Sequence, residues 1–529
     1  MVEDREESFY IWTSLAVVVI GTFMAILDSS IVNVAIPKMM AIFQVSVDHA
    51  RWIITCYTLT IGAIIPLTGY LSDRFGAKAI YLAAMSIFTL GSLLCSLSWN
   101  IWAMLGFRII QGIGGGMLMP VSMAILFQVV PVNKRGFALG LWGIAAMAAP
   151  TIGPTLSGYI IDYLDWRIIF TINVPIGIIG VFLASILLRE SPRKLAVRFD
   201  LVGFITSTVG IVFLLYLLAE SSNLDWGNVW NMLMLVTGIF SLIIFVVNEL
   251  HHPEPLLDLK LLKIFPFTLS IIITSVLNMS MFGVIFVMPL FLQNLLGYTP
   301  MHSGMVMLPS ALASGIFMAI GGRLFDKIGA KPLLIPGCIA LTIATYELSK
   351  LSLSTSIFTV IALLVLRSVA LGFTTMPAST AGMNCVPLPL IARASALGNT
   401  IRQISASLSV TVLTTVLLHV QNVKYAAYAS EATAFNPVAG SLLNGVKGLL
   451  MQSGLSAADA TAASGSTLSG LIQQQSFLDG INATLIVSTI FSLVAIPLTL
   501  LFKSKKELQC EDEKVFIREQ QIESEIAID

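Results

Sequence analysis

The chain has 529 residues, of which 56% are hydrophobic and 11% are charged, and its mean hydropathy is +0.89. Soluble domains carry about 25% charged residues, so this composition excludes a soluble globular protein and indicates an all-α, polytopic membrane protein. Lys plus Arg and Asp plus Glu both number 29, so the net charge gives no reason to expect a nucleic-acid partner. The scattered Cys and His residues predict neither a disulfide framework nor a metal site.

A membrane-spanning helix needs about 20 mainly apolar residues, and fourteen runs of the chain meet that rule. The first run follows an acidic N-terminus without a small-residue cleavage site, so we expect it to be retained as a signal anchor. The approximate limits of the runs are 11–37, 51–71, 79–99, 101–126, 136–161, 166–188, 200–219, 230–249, 267–293, 303–323, 332–350, 355–385, 394–420 and 480–502. Most Lys and Arg residues outside the runs fall on one side if both termini are cytoplasmic, in agreement with the positive-inside rule.

One long outer segment, 421–479, separates the last two runs and is rich in Ala, Ser, Gly and Gln. Two interpretations remain open for it: a partly ordered polar loop, or a short helical hairpin that docks a partner. The charged tail, 503–529, is predicted to be cytoplasmic and disordered.

Asp28 lies inside the first apolar run. An acid near the centre of a membrane helix costs roughly 2.5–3.5 kcal/mol, so it is expected to face protein or water, or to bind a proton. Asp28 is therefore the first functional candidate. The alternative is a structural acid that a neighbouring hydroxyl satisfies, such as that of Ser29 or Ser30.

The chain contains an internal repeat. The segment 69–78, Gly-Tyr-Leu-Ser-Asp-Arg-Phe-Gly-Ala-Lys, returns as 322–331, Gly-Arg-Leu-Phe-Asp-Lys-Ile-Gly-Ala-Lys. A second, shorter repeat relates the segment 135–140 to the segment 393–398. We therefore predict an N-terminal six-helix half (1–190), two additional helices with linkers (191–264) and a C-terminal six-helix half (265–502). Repeated halves with a site between them are typical of secondary transporters.

The loop Gly-x-x-x-Asp-Arg-x-Gly at 69–76 resembles the loop between the second and third spans of the major facilitator superfamily. Further motifs are Leu-Asp-Ser-Ser-Ile-Val-Asn-Val-Ala-Ile-Pro at 27–37, Arg-Ile-Ile-Gln-Gly-Ile-Gly-Gly-Gly at 108–116 and Ala-Pro-Thr-Ile-Gly-Pro-Thr-Leu-Ser-Gly at 149–158. Together with 166–177 and 399–403, they resemble the fourteen-span drug:proton antiporter branch of that family over residues 11–502. The chain departs from the pattern at Ser157, where the family usually has a second Gly, and we expect little to be lost.

The resemblance implies roles for two sets of residues. Conformational gating is assigned to a cytoplasmic loop and its second copy: Gly69, Asp73, Arg74, Gly76, Asp326 and Lys327. Asp73 could accept from helix N-terminal N–H groups, while the basic residues meet acids across the gap between the halves. The fifth-span antiporter motif is Pro150, Gly153, Pro154 and Gly158, which is implied to pack the halves together. Ordinary turn chemistry and a kinked packing helix are the respective alternatives.

Arg108 is a further charge within an apolar run, and Asp28 is the obvious acid for it to meet. Burial favours the neutral form of an acid, whereas a nearby guanidinium favours the carboxylate, so movement of Arg108 relative to Asp28 could drive proton binding and release. Arg367 and Arg402 are intramembrane charges in the second half. The predicted wall of a substrate cavity comprises Asn33, Tyr57, Gln111, Asn173, Asn399, Arg402 and Gln403.

These observations predict an exporter of lipophilic or amphipathic small molecules that exchanges them for protons by alternating access. The alternatives are a dedicated exporter of a single metabolite, siderophore or antibiotic, and a membrane enzyme or sensor on a borrowed transporter fold. The sequence contains no GxxxxGK[ST] loop, so we expect a proton gradient and not nucleotide hydrolysis as the energy source, and no cofactor. Its short loops offer no nucleophile–base set and it has no soluble domain, so we expect no enzymatic activity. Expected partners are lipid and, in an organism with two membranes, a periplasmic adaptor.

Overall fold

The computed structural model describes residues 2–191, 193, 198–220, 224–225, 227–432, 437–454 and 456–502. Within these ranges the chain consists of α-helices and short connections and contains no β-strand, so the predicted all-α class is confirmed. The predicted tail, 503–529, lies outside the described residues.

The first eight helices, called the N-terminal group here, run from residue 2 to residue 187. Their bounds are α1 Val2–Phe43, α2 Val47–Ile64, α3 Leu67–Phe75, α4 Ala77–Ser96, α5 Ile101–Val129, α6 Arg135–Tyr163, α7 Ile168–Thr171 and α8 Asn173–Leu187. Several helices begin at a residue whose polar side chain caps the helix N-terminus. The Asn100 side chain accepts the Ala103 N–H at 2.8 Å and so satisfies one of the free donors at the start of α5.

Two helices follow, α9 Leu201–Ala219 and α10 Val229–His251. The remaining helices, the C-terminal group, are α11 Phe265–Leu290, α12 Pro300–Ile328, α13 Lys331–Leu348, α14 Ile357–Met383, α15 Ile391–Glu431, α16 Pro437–Gln452 and α17 Ala457–Leu500. Each of the fourteen predicted apolar runs coincides with one of these helices or with a pair of them, α2 and α3 for 51–71 and α7 and α8 for 166–188.

Among the described residues, twelve helices are long and apolar enough to cross a membrane. The pair α2 and α3, bent by 55°, raises the number to 13 if it counts as one span. The bend falls at Pro66, which cannot donate a backbone hydrogen bond. The short helix α13 does not reach the same criterion, so the total of fourteen stays a prediction.

The outer segment, 421–479, is helical over most of its described residues, which favours the second of the two open interpretations. α15 continues to Glu431, α17 begins at Ala457, and α16 packs against α17. Ala and Gln are good helix formers, and their abundance here outweighs the scattered Gly and Ser. The Tyr428 hydroxyl donates to Asp479 Oδ2 at 2.6 Å and ties α15 to α17. The hairpin interpretation therefore fits, and its docking role stays a prediction.

The bundle is closed at one end, which we call the basic end because Arg74, Lys134, Lys327 and Arg393 lie there. One apolar cluster at this end joins both groups of helices, for example Leu126 and Ala138 with Phe267 and Leu397. Toward the opposite end the apolar side chains form separate clusters in the two groups. The two groups are thus packed together most extensively at the basic end.

Helix α9 contacts both α2 and α15, so it covers a seam between the two groups. Thr411 of α15 donates to the Leu218 carbonyl at 2.7 Å, and the Trp52 ring of α2 stacks on Tyr216 with centroids 5.7 Å apart. Helix α10 packs on α9, and most of its remaining surface is exposed and apolar. The two additional helices therefore lie at the rim of the bundle and not between its groups.

Candidate functional site

Asp28 is fully buried in the middle of α1 and pairs with Arg108 of α5. The Arg108 Nη1 atom lies 2.6 Å from Asp28 Oδ2, and neither side chain is exposed. A charge-assisted hydrogen bond of this length is among the stronger contacts available to a buried carboxylate. The structure therefore brings together the acid and the base that the sequence hypothesis paired.

Two amides complete the environment of the carboxylate. Gln111 lies one helical turn after Arg108, so both reach Asp28 from the same face of α5. Gln111 accepts from Arg108 Nη1 at 2.7 Å and donates to Asp28 Oδ1 at 2.8 Å. Asn173, at the start of α8, donates to the same Oδ1 at 3.2 Å and to Ser92 Oγ at 3.0 Å. Asp28 thus accepts three side-chain donors from two helices.

The remaining contacts of Arg108 extend the network to α2. Its Nε donates to the Ile53 carbonyl at 3.2 Å, and its guanidinium carbon lies 4.2 Å from the centre of the Tyr57 ring. The Tyr57 hydroxyl donates back to the Ala25 carbonyl of α1 at 3.3 Å. The third nitrogen, Nη2, is buried and has no hydrogen-bond partner among the described residues. One ion pair therefore connects α1, α2, α5 and α8.

The donors around Asp28 match the acceptor positions of a carboxylate. A carboxylate satisfies the Arg108, Gln111 and Asn173 donors, whereas a protonated Asp28 would give up an acceptor position and the attraction of the guanidinium. In the low-dielectric interior, loss of that attraction leaves Arg108 as an uncompensated charge. The four helices are therefore packed around the Asp28–Arg108 ion pair.

Three predicted cavity residues belong to this network instead of to an open wall. Gln111 is 0% exposed, Asn173 is 1% exposed and Tyr57 is 1% exposed, because each is engaged by Asp28, Arg108 or the backbone. Ser92 also belongs to it, since its hydroxyl donates to the Phe170 carbonyl at 2.9 Å while accepting from Asn173. Ser92 was not predicted from the sequence, because a single serine in an apolar helix carries no motif.

At the basic end, a latch joins the first copy of the repeat to α15. Asp73, near the end of α3, accepts from Arg393 Nε at 2.9 Å, and both side chains are more than 90% buried. Gly69 makes the approach possible, since a Cβ built there would lie 3.2 Å from the Arg393 Cα. Gly76 ends α3 at a φ of +89°, a conformation that favours glycine. We call this contact the first latch.

The second copy of the repeat forms a second latch with α6. Asp326, near the end of α12, accepts the Gly136 N–H at 2.9 Å and the Phe137 N–H at 3.0 Å. These are free donors in the first turn of α6, where a carboxylate is also favoured by the helix dipole. A Cβ on Gly136 or Gly322 would overlap the other residue's carbonyl oxygen, so the two backbones touch. The helix N-terminal chemistry expected of Asp73 is thus found at Asp326.

The two basic neighbours were expected to bridge the groups. Arg74 Nη1 donates to the Tyr70 hydroxyl at 3.0 Å within α3, and Lys78 lies 3.8 Å from Glu190 at the end of the N-terminal group. These two contacts lie on the N-terminal side, whereas the hydrogen bonds of Arg393 and Asp326 join the two groups. Lys327 follows Asp326 in the last turn of α12.

Comparison with known proteins identifies the family. The family model described as Major Facilitator Superfamily matches residues 18–410. The chain belongs to the Major Facilitator Superfamily. Among solved structures, its fold is similar to the proton:xylose symporter XylE, with a TM-score of 0.58 and 14% identity over 93% of this chain and 97% of that one. It is likewise similar to the human organic anion transporter MFSD10, with a TM-score of 0.58 and 12% identity over 92% and 99% of the two chains.

Curated relatives match most of the chain. The "Uncharacterized MFS-type transporter YhcA" of Bacillus subtilis is 33% identical over 93% of this chain and 93% of its own length. The "Multidrug export protein EmrB" of Escherichia coli is 32% identical over 82% and 85% of the two chains. The "Lincomycin resistance protein LmrB" of Listeria monocytogenes is 29% identical over 78% and 87%. The chain is therefore a multi-pass membrane protein whose relatives are transporters.

In this superfamily member, α6 is fitted closely to α1 just beyond Asp28. Pro154 has no N–H to donate to the Pro150 carbonyl, and the Ser30 hydroxyl donates to that carbonyl at 3.0 Å instead. Gly153 lies against Ser30, where no side chain would fit. Ser157, which replaces the usual Gly, donates to the Ile31 carbonyl at 2.8 Å. This face of the antiporter motif therefore packs α6 on α1 within the N-terminal group.

The opposite face of α6 contacts α12. Gly158 approaches the backbone of Met301, and Thr155 lies against Gly304. The expectation that the motif packs the two groups together applies to this face only. Residues 153 and 157 are four positions apart and therefore lie on the same side of α6, which faces α1. Residues 155 and 158 are three positions apart and lie on the side that faces α12.

The other predicted cavity residues do not reach Asp28. Asn33 is an exposed residue of α1. Asn399 is buried and donates to the Ser395 carbonyl at 2.8 Å, while Arg402 and Gln403 are half-buried on α15. Arg367 of α14 donates to the Ser280 carbonyl at 2.9 Å, and no ion pair involves it among the described residues. The acid–base pair is thus a feature of the N-terminal group.

Proposed function

We propose that this chain is a secondary active transporter that exports lipophilic or amphipathic compounds in exchange for protons by alternating access. The observation that best supports this proposal is the Asp28–Arg108 ion pair, which is fully buried and has contacts with four helices. Burying an acid in a membrane costs free energy, so such acids usually have a functional role. Proton binding at Asp28 would change the contacts of every helix around it. The Major Facilitator fold supplies the two groups of helices that would move.

We place the basic end in the cytoplasm, with both termini on that side, because positive charges concentrate there. With both latches formed, the described geometry then corresponds to an outward-facing form. We further propose fourteen spans, with the bent pair α2 and α3 as one span and α13 as another. In this division residues 1–190 and 265–502 are the moving halves, 191–264 contribute the rim helices α9 and α10, and 503–529 form a cytoplasmic tail.

The gating role belongs to the two latches. The Asp73–Arg393 contact joins α3 to α15, and the contact of Asp326 joins α12 to α6. Breaking both contacts would separate the two groups at the cytoplasmic end. Protonation of Asp28 would release Arg108 and loosen α1 against α5 and α8. A transporter needs these events to alternate so that the two ends of the bundle never open together.

The substrate class follows from the relatives. Proteins named for multidrug export and lincomycin resistance are similar to this chain over most of its length. Asn33, Asn399, Arg402 and Gln403 remain proposed cavity residues, and 22 Met and 29 Phe provide adaptable apolar surface. No observation favours a dedicated exporter of one metabolite. We also propose that the chain is not an enzyme and that the outer ends of α15 to α17 would meet an adaptor, if the organism has one.

The test is substrate-induced proton movement in proteoliposomes, with lipophilic cations, neutral compounds and anions as separate panels. The wild-type protein should couple at least one panel to proton release. Asp28→Asn should lose coupling by about tenfold or more, because an amide cannot bind or release the proton. Glu347→Gln, which neutralises an exposed acid of α13 outside the proposed site, is the control and should retain proton coupling. Unimpaired coupling in Asp28→Asn would refute the proposal.

A further inference from the structure

A second pair of acids is buried where α9 begins and α10 ends. Asp200 is 2% exposed and Glu249 is 0% exposed. A Cβ built on Gly203 would overlap Asp200 Oδ2 and lie 3.0 Å from Glu249 Oε1, so both carboxyl groups face the same small space. This places them within the roughly 6 Å over which one charge alters the ionisation of another. Two carboxylates buried side by side repel each other, so the state in which both are ionised is disfavoured.

The hydrogen bonds distinguish the two acids. Asp200 accepts the Gly203 N–H at 2.7 Å and the Asn248 amide at 2.5 Å, which suits a carboxylate that caps α9. Glu249 Oε2 accepts the Leu257 N–H at 3.2 Å, and the backbone N–H of Leu256 is a further donor to this carboxyl group. Its Oε1 is buried and has no hydrogen-bond partner among the described residues. A proton on Oε1 would turn that atom into a donor facing the Asp200 carboxylate.

The pair adjoins the first latch. Among the described residues, the charges that act on Glu249 are those of Asp200 of α9 and, more weakly, Arg393 of α15, whose Nε donates to Asp73. The connecting segment also touches the latch, because Leu256 packs with Tyr70 of α3. An ionised Glu249 would compete with Asp73 for Arg393, whereas a neutral Glu249 would leave that pair undisturbed.

We propose that Asp200 and Glu249 form a second proton-binding site, separate from Asp28, in which one proton resides on Glu249 and stabilises the closed first latch. Loss of this proton adds a negative charge beside Asp200 and draws Arg393 away from Asp73. The latch therefore opens as the pH on the basic side rises. This site gives the rim helices α9 and α10 a role in the cycle that the Asp28 network does not supply.

The experiment measures the latch directly. Spin labels at Phe75→Cys and Leu388→Cys, two exposed positions beside the latch, would report its width in a protein whose native cysteines are replaced. Without substrate or gradient, the wild type should show one short distance at low pH and a growing longer one as the pH rises. Glu249→Gln should keep the short distance throughout. Asp200→Asn retains the helix cap and removes the repelling charge, so its midpoint should fall by about one pH unit or more.

Glu220→Gln, at the far end of α9, is the matched control and should follow the wild type. A Glu249→Gln latch that opens with the wild-type midpoint would overturn the proposal, as would a midpoint that moves with Na⁺ or K⁺ concentration, which would indicate a metal cation in place of the proton. The proposal rests on the gating role of the latch, which Asp73→Asn tests separately. If Asp73→Asn opens the label pair and Glu249→Gln has no effect, only the proton site is wrong.

Discussion

Asp73 and Arg393 are 320 positions apart in the sequence and share a hydrogen bond of 2.9 Å. The equivalent acid of the second repeat, Asp326, also crosses to the other group but binds backbone N–H groups of α6. The same motif thus closes the basic end twice with two kinds of donor. A guanidinium can swing away as a side chain, whereas the N–H groups can leave only if the helix itself moves.

The first latch predicts non-additive mutations. Asp73→Asn and Arg393→Gln should each raise the accessibility of the basic end to a cysteine reagent, because each breaks the same pair. The double variant should be no more accessible than the worse single variant. Additive effects would mean that the two residues act through different partners. The matched exposed pair Lys350 and Glu347, changed in the same way, should leave accessibility unchanged, since exposed pairs contribute about 0–1 kcal/mol.

The second latch depends on two glycines. Gly136→Ala or Gly322→Ala should prevent full closure of the basic end, because the new methyl group would overlap a backbone carbonyl of the facing helix. Transport should fall severalfold while the protein still inserts in the membrane. Gly398→Ala is the control, since no atom lies within 4 Å of its added Cβ. Wild-type transport in both latch variants would contradict this packing.

The buried ion pair predicts a stability pattern. Arg108→Gln leaves the Asp28 carboxylate without its counter-charge, and removal of one partner of a buried pair costs about 3–5 kcal/mol. Asp28→Asn combined with Arg108→Gln removes both charges and should recover much of that loss. Denaturant unfolding in detergent measures the difference. If the double variant is as unstable as Arg108→Gln alone, the loss comes from packing and not from the unpaired charge.

The α6 kink predicts a rescue. Ser30→Ala removes the donor that satisfies the Pro150 carbonyl and should destabilise the protein by about 1 kcal/mol. Pro154→Ala restores an N–H that can bond that carbonyl within α6, so the double variant should be more stable than Ser30→Ala. Thermal unfolding of the four proteins checks the order. A double variant less stable than either single variant would show that the kink itself is needed.

Much of this architecture could be predicted from the chain. Apolar runs located the helices, since hydrophobic length is dictated by the membrane, and an isolated acid in such a run pointed to Asp28. Asn173 and Ser92 could not be placed beside it, because their contact depends on how α4 and α8 pack against α1. The sequence could not decide between a loop and a helical hairpin for 421–479, because a polar composition indicates solvent exposure more clearly than it indicates backbone structure. In the sequence, Asp200 and Glu249 are acids beside the ends of two predicted helices. Their burial next to each other depends on tertiary contacts and could not be predicted.

Helix α15 carries Arg393 in its first turn and the Tyr428 bond to α17 near its last. At 1.5 Å per residue its 41 residues form a rod of about 60 Å, roughly twice the hydrocarbon thickness of a bilayer. A tilt of about 10° around the midpoint of such a rod displaces each end by about 5 Å in opposite directions. If release of the Arg393 guanidinium tilts α15, the far ends of α15 and α17 would move together, because the Tyr428–Asp479 hydrogen bond joins them.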